Sequence, residues 1–198
     1  DPLASADGEK NLAVDPADNS SCGAATSAST ANPINIVTGN KVRAEADYVG
    51  TGPFPLTLTR YYNSATARQG SFGNNWRSSF DRSLVVTSTT VKGKTTSVAE
   101  AIRADGRVLK FTSTGGAWIA APDVVNALQS LPGGGYRLTC GDDQAETYSS
   151  AGRIAAIAAR EGFAQTLSYD ASNRLAQVTD AFGRTMTFSY DSANRVAG

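Results

Sequence analysis

The chain has 198 residues and carries 18 Lys and Arg against 18 Asp and Glu, so its formal net charge is zero. The charges are scattered singly, with no basic run and no acidic tail, so the composition gives no indication of a nucleic-acid or anionic-membrane partner. The chain also has no histidine, and it therefore lacks the commonest general base and the commonest metal ligand.

Residues 1–31 are small and polar, and they hold too little apolar surface to order themselves. We therefore predict a flexible N-terminal arm. The chain begins with Asp1 rather than Met, so we expect an upstream segment. Serine, threonine, glycine and asparagine are abundant, which suits a secreted β-protein. No apolar run reaches the roughly 20 residues that a membrane helix needs, so no membrane span is predicted.

Strand signals begin after this arm and dominate residues 32–131. Residues 55–61 alternate with period two, which places Leu56 and Leu58 on one face and threonines on the other. Residues 83–88 form a short β-branched run. These patterns predict a β domain over 32–131.

A hairpin signal follows in the same region. Residues 97–103 and 107–112 flank Asp105 and Gly106, a pair that favours a tight β-turn. Only residues 123–131 have a helical pattern, and the proline and glycines that follow end it. The chain as a whole is predicted to be all-β.

A 21-residue repeat fills the C-terminal part of the chain, residues 132–198. A fixed period of this size marks an array of units that cannot bury their apolar face alone. We predict about three repeats, the last incomplete, and expect the array to continue past Gly198. The recurring residues are Tyr148, Tyr169 and Tyr190; Arg153, Arg174 and Arg195; Gly152, Asn173 and Asn194; and Gly141, Gly162 and Gly183.

Each repeat is predicted to contain two short strands and two turns. Asp170 is placed to bond the backbone two residues on, and Asn173 to take the left-handed conformation that glycine or asparagine tolerates. A continuous up-and-down strip of β-hairpins follows. On the strand that leads into Tyr190, Met186 and Phe188 share one face and hydroxyl side chains occupy the other. The strip should therefore have one dry side and one wet side.

These motifs resemble those of a known family. The repeat YDASNRLAQVTDAFGRT at 169–185 resembles the YD repeat of RHS-type proteins. The chain also resembles the domain that precedes such repeats, through the motifs NPINIVTGNK at 32–41, PLTLTRYYNS at 55–64, GNNWR at 73–77 and DGR at 105–107. The resemblance runs from residue 32 to the end, with its motifs in the expected order. It implies an N-terminal RHS-associated β domain over 32–131 and the first YD repeats over 132–198.

The resemblance also implies a function. In the family, spiralling β-hairpins form a hollow cocoon that encloses a C-terminal toxin, or a surface module of a bacterial secreted or cell-surface protein. The expected partner is the remainder of the same polypeptide. The family's self-cleavage region and toxin domain have no counterpart before Gly198. The alternative is a secreted adhesion or carbohydrate-binding module, whose partner would be a cell-surface glycan or protein and whose aromatic side chains would form a patch in solvent.

We predict no catalytic residue, metal site or cofactor. Asp170 and its counterparts have a structural task at turns, and no activated nucleophile pattern is present. The tyrosines are interpreted as packing one hairpin against the next rather than stacking sugars or bases, because their spacing and context recur. For the same reason, the arginines are interpreted as bracing turns rather than binding phosphate.

The two cysteines, Cys22 and Cys140, allow a single pairing. In an oxidising compartment a disulfide would tie the arm to the first repeat, and we predict that bridge. Closing so long a loop would contribute roughly 4–5 kcal/mol in the chain-entropy model. Two unpaired thiols in a reduced protein are the alternative.

Overall fold

The computed structural model describes residues 39–66 and 68–198, which form fourteen β-strands and no helix. All strand pairs are antiparallel, and they make three sheets. The all-β prediction is therefore confirmed. Within the described residues no helix could cross a membrane. The predicted N-terminal arm, 1–31, lies outside the described residues.

Two sheets precede the repeats. The first has the order β1-β2-β3 and comprises β1 (Val42–Val49), β2 (Thr57–Asn63) and β3 (Trp76–Ser78). The second has the order β4-β5-β6-β7 and comprises β4 (Ser83–Val91), β5 (Lys94–Ile102), β6 (Val108–Ser113) and β7 (Ile119–Ala120). The hairpin predicted around Asp105 and Gly106 joins β5 to β6, where the Arg103 N–H donates to the Arg107 carbonyl at 2.8 Å.

Seven strands form the third sheet, which we call the hairpin strip. Their order in the sheet is their order in the chain, as predicted for an up-and-down array. The strands are β8 (Ala127–Ser130), β9 (Tyr136–Thr139), β10 (Ala145–Tyr148), β11 (Ile154–Ala158), β12 (Ala164–Tyr169), β13 (Leu175–Thr179) and β14 (Thr185–Thr187). The strip thus includes one strand that lies before residue 132.

No helix forms over residues 123–131, although the sequence there has a helical pattern. Strand β8 occupies this region and pairs with β9, Leu128 facing Leu138 across the ladder. Both leucines are buried, whereas the neighbours of Leu128 on β8 are exposed. Burial against an adjacent strand decides the conformation here, since short apolar segments have no strong preference of their own.

One face of the strip packs against the other two sheets. In β12, Gln165 and Leu167 are buried while the residues between and after them are exposed. Met186 and Phe188 are half-buried, whereas Thr185 and its alternating neighbours are exposed. The predicted dry and wet sides are therefore present. A core cluster joins this dry face to the sheets before it, through residues that include Leu84, Phe111, Leu138, Leu167 and Val178.

Within the described part of the chain, seven turns in and after the strip share one geometry. The first residue donates its N–H to the carbonyl of the fifth, the fourth donates back to the carbonyl of the first, and the fourth has a positive φ. This is a three-residue hairpin loop whose last residue is a left-handed bulge. The turns are 131–135, 140–144, 149–153, 159–163, 170–174, 180–184 and 191–195.

Successive turns lie on alternate edges of the strip, because the strands run up and down. We call the edge with turns 149–153, 170–174 and 191–195 the tyrosine edge, since each of these turns directly follows a repeated tyrosine. The other edge, with turns 140–144 and 159–163 among others, is the opposite edge.

Candidate functional site

Three of the repeat turns are closed by their own aspartates, Asp170, Asp180 and Asp191. Asp170 Oδ1 accepts hydrogen bonds from the backbone N–H groups of Ser172 and Arg174 at 2.9 and 2.8 Å, and Oδ2 accepts from Arg174 Nε at 2.8 Å. The same pattern recurs with Asp180 and Arg184 and with Asp191 and Arg195. The backbone hydrogen bond from Arg174 lowers the pKa of Asp170. These carboxylates are thus acceptors that shape the turn.

The fourth residue of each turn has the left-handed conformation, and in one turn, 140–144, this residue departs from the 21-residue spacing. This fourth position is taken by Gly152, Asn173 and Asn194 on the tyrosine edge and by Gly162 and Gly183 on the opposite edge. Gly141, however, is the second residue of its turn, and Asp143 has the positive φ, 61°. The reason is strand length, because β10, which follows this turn, has four residues whereas β12, its counterpart one repeat later, has six. The spacing therefore misplaces this left-handed residue by two positions.

Consecutive turns on the tyrosine edge are linked to each other by a set of contacts that we call the ladder. Arg174 Nη1 donates to Asn194 Oδ1 at 2.9 Å, and Arg153 Nη1 donates to Asn173 Oδ1. Each of these arginines also lies over the tyrosine of the following repeat, at 4.6 Å for Arg174 and Tyr190 and 5.4 Å for Arg153 and Tyr169. A cation over an aromatic face is attractive.

The tyrosine hydroxyls complete the ladder. Tyr169 donates to the carbonyl of Ile154 at 2.7 Å, and Tyr190 donates to the carbonyl of Leu175 at 2.8 Å. Burial raises the pKa of Tyr169 to about 12, so its hydroxyl stays protonated and remains a donor. Each tyrosine therefore links its own hairpin, through a hydrogen bond, to a strand residue fifteen positions earlier in the chain.

The first tyrosine, Tyr148, lies in a different environment. It is buried next to Glu146, which is wholly buried on β10. Arg103 donates to the two carboxylate oxygens of Glu146 at 2.6 and 2.7 Å and to the Tyr148 hydroxyl at 3.2 Å. Arg82 and the Tyr148 hydroxyl donate to the same carboxylate. We call these four residues the Glu146 cluster. It links the strip to the residue that directly precedes β4 and to the residue that directly follows β5.

The charge states in the Glu146 cluster follow from burial and neighbouring charge. Burial alone would raise the pKa of Glu146, but the charges of Arg103 and Arg82 outweigh it and lower the pKa to about 2. Burial, and next the Glu146 carboxylate, raise the pKa of Tyr148 above its ordinary value. The cluster therefore holds an ionised carboxylate and a neutral phenol at neutral pH.

A backbone contact lies beside the cluster. The N–H of Leu84 donates to the carbonyl of Gly152 at 2.8 Å, and Ser83 forms a bridge with Arg153. Gly152 has a φ of 75°, and a Cβ placed there would lie 1.7 Å from the Leu84 carbonyl oxygen. Asparagine fits at 173 and 194, but only glycine fits at 152, because β4 lies directly against this turn.

The Glu146 cluster was missed by sequence reasoning, which placed Tyr148 in one series with Tyr169 and Tyr190. A signal was present, however. Glu146 precedes Leu167 by one 21-residue period, so a carboxylate stands at a dry-face position where later repeats carry Leu167 and Phe188. A charged residue at a buried repeat position requires a buried partner.

Comparison with known families bears on this repeat geometry. The family described as RHS Repeat matches residues 148–185 and again residues 169–198, the region that holds the ladder. Residues 148–198 of the chain are therefore RHS repeats. A domain of unknown function, DUF6531, matches residues 31–111. A comparison with curated proteins found no match.

The RHS repeats in this chain have a structural role. Their aspartates, asparagines, arginines and tyrosines bond to one another and to the backbone of adjacent hairpins, as the ladder shows. Among the described residues no group of three or more His, Cys, Asp or Glu side chains is placed to hold a metal ion. Cys140 is buried at the end of β9, and its predicted disulfide partner Cys22 lies outside the described residues, so the bridge stays a prediction.

Proposed function

We propose that this chain begins an RHS-repeat shell that encloses or presents a C-terminal effector, such as a toxin, in a bacterial secreted or cell-surface protein. The observation that carries this proposal is the ladder. Arg153 and Arg174 each reach forward to the left-handed asparagine of the next turn on the same edge. Arg195 occupies the same position in its turn, so the contact can be repeated by each further hairpin.

The docked N-terminal sheets support the same proposal. Gln165 Nε2 donates to the Pro55 carbonyl at 2.9 Å, and Arg184 Nη1 donates to the Thr51 carbonyl at 2.6 Å. Together with the Glu146 cluster, these contacts attach the strip to the preceding sheets along both edges. A strip that is held on these sheets can be extended by further hairpins that pair with β14, the last strand in its order. The partner is then the remainder of the same polypeptide, and sequestration needs no catalytic group in this segment.

The alternative of an adhesion or carbohydrate-binding module needs a contiguous aromatic patch in solvent. Phe188 instead lies edge-on to Phe80 with ring centroids 6.1 Å apart, and Tyr190 is half-buried in the ladder. On the opposite edge, Phe163 and Phe182 do stack at 5.6 Å, and Phe182 is exposed. Two rings form a smaller surface than a glycan platform built from every repeat would offer, and we therefore favour the shell.

Limited proteolysis of the full-length product, with mass spectrometry following a tag at its far C-terminus, tests the proposal. If the shell encloses the C-terminal segment, the tagged segment survives until the repeats themselves are cut. Early loss of the tag from intact repeats would contradict enclosure. A glycan array probed with the same product tests the alternative, for which a saturable, sugar-specific signal is required.

A further inference from the structure

A cleft of about 410 Å³ lies between the tyrosine edge and the segment that surrounds β3. Its lining is strongly cationic. Of the described lining residues, five are arginines and one is a carboxylate: Arg68, Arg77, Arg82, Arg153, Arg174 and Asp81. The rings of Tyr169 and Tyr190 form part of its wall.

The lone carboxylate of the lining is already engaged. Asp81 Oδ2 accepts from the Ser71 N–H at 3.1 Å, the Ser71 hydroxyl at 2.7 Å and the Ser78 N–H at 2.6 Å. Its capacity to neutralise the arginines of the cleft is correspondingly reduced. Further carboxylates behind the lining are shared, since Glu146 serves both Arg82 and Arg103, and Glu100 contacts both Arg68 and Lys110. Among the described residues, basic side chains at and behind the lining therefore outnumber the carboxylates that they contact.

Arg153 differs in its ion pairing from the corresponding arginines of the other repeats. Arg174 and Arg195 each pair with the aspartate that opens their own turn, at 2.8 Å. The corresponding residue for Arg153 is Ser149, whose hydroxyl accepts from the Arg153 N–H at 3.2 Å. The serine keeps the backbone contact but supplies no charge. Within the described residues no carboxylate lies within ion-pair distance of Arg153.

We propose that this cleft binds an oxyanion, a carboxylate or phosphate group, with Arg153 as the principal ligand. Arg153 uses one donor on Asn173 and is half-buried over Tyr169, which orients its planar guanidinium. A guanidinium has five N–H donors and matches the geometry of either oxyanion in a bidentate contact. The proposal does not rest on the shell, since Arg153, Ser149 and Tyr169 all lie within the residues described.

The test is a titration followed by NMR at the Arg153 Nε–Hε signal, at constant ionic strength. Inorganic phosphate is the probe in one arm and glutarate in the other. We expect a saturable shift in at least one arm, and the arm that saturates identifies the oxyanion. If neither probe produces a saturable shift, the proposal is overturned.

Two variants and a control separate binding from a structural role of Arg153. Arg153→Gln should weaken binding by at least about tenfold, since it removes the charge-assisted contact. Ser149→Asp restores the aspartate that the other repeats carry, so it should fold, pair with Arg153 and weaken binding by a similar factor. Arg160→Gln removes the same charge from the opposite edge, where Arg160 is exposed and pairs with Asp143 at 3.2 Å. Wild-type affinity in Ser149→Asp, or an equal loss in Arg160→Gln, would overturn the proposal.

Discussion

Arg174 donates to the side-chain oxygen of Asn194, twenty residues along the chain, across a distance of 2.9 Å. The asparagine is at the left-handed position of its turn, with a φ of 59°. One residue thus supplies both a backbone conformation that few side chains tolerate and the acceptor for the preceding repeat. Glycine would satisfy the first requirement but not the second, which explains asparagine at positions 173 and 194.

The tyrosine hydroxyls are expected to contribute measurably to stability. Tyr169→Phe and Tyr190→Phe each remove a donor to a backbone carbonyl, and each should lower the free energy of unfolding by about 1 kcal/mol. Tyr62→Phe is the control, since the Tyr62 hydroxyl makes no hydrogen bond among the described residues. Urea denaturation followed by fluorescence measures the change. Equal stability of the Tyr190 and Tyr62 variants would argue against the ladder.

Gly152 should be the least replaceable glycine of the repeat turns. Gly152→Ala places a Cβ 1.7 Å from the Leu84 carbonyl oxygen and also requires a φ of 75°. We expect a loss of roughly 3 kcal/mol or more, or failure to fold. Gly162→Ala is the matched control, because its φ is 89° but no atom lies within 4 Å of the added Cβ. It should cost only the backbone strain, roughly 1–2 kcal/mol. Similar losses for both variants would contradict the close approach of β4.

The Glu146 cluster should be sensitive to loss of its carboxylate. Glu146→Gln removes the counter-charge that Glu146 supplies to Arg103 and Arg82, and we expect a loss of about 3–5 kcal/mol. Glu100→Gln removes a carboxylate that pairs with Arg68 and Lys110 but is partly exposed, and it should cost less than about 1 kcal/mol. Thermal unfolding of both variants gives the comparison. A larger effect at Glu100 would show that the cluster does not hold the strip.

The titration of Glu146 gives a pH dependence with a definite sign. Its pKa is lowered in the folded protein from an ordinary 4.5 to about 2, so its contribution to stability is complete above about pH 4.5 and is lost as the pH falls toward 2. Carbonyl-carbon NMR of the folded protein should show Glu146 still ionised near the ordinary midpoint. A midpoint at or above 4.5 would mean that the arginines do not dominate the carboxylate.

Much of the architecture could be predicted from the sequence because it is set by local patterns. The alternation around Phe188, the Asp105-Gly106 turn and the Asp170–Asn173 turn each depend on residues close in the chain. The strand that contains Leu128 could not be predicted in this way, because it exists only through pairing with β9. The left-handed residue Asp143 was misplaced because β10 is two residues shorter than β12, its counterpart in the next repeat.

The candidate site was less predictable, for a different physical reason. The ladder links turns that are one repeat period apart, so the spacing of Arg174 and Asn194 in the sequence indicates their contact. The Glu146 cluster joins Arg103 to a residue 43 positions along the chain, and no local pattern encodes that contact. The cleft depends on three-dimensional packing of the segment around β3 against the tyrosine edge, so Ser149 had no visible significance in the sequence alone.

The most direct test of the shell is a cryo-EM map of the full-length product. We predict that the hairpin strip continues without a break after residue 198, that Arg195 contacts the left-handed residue of the next turn on the tyrosine edge, and that the wound sheet encloses density for the C-terminal segment. An open strip, or a C-terminal segment that lies wholly outside the sheet, would contradict the account.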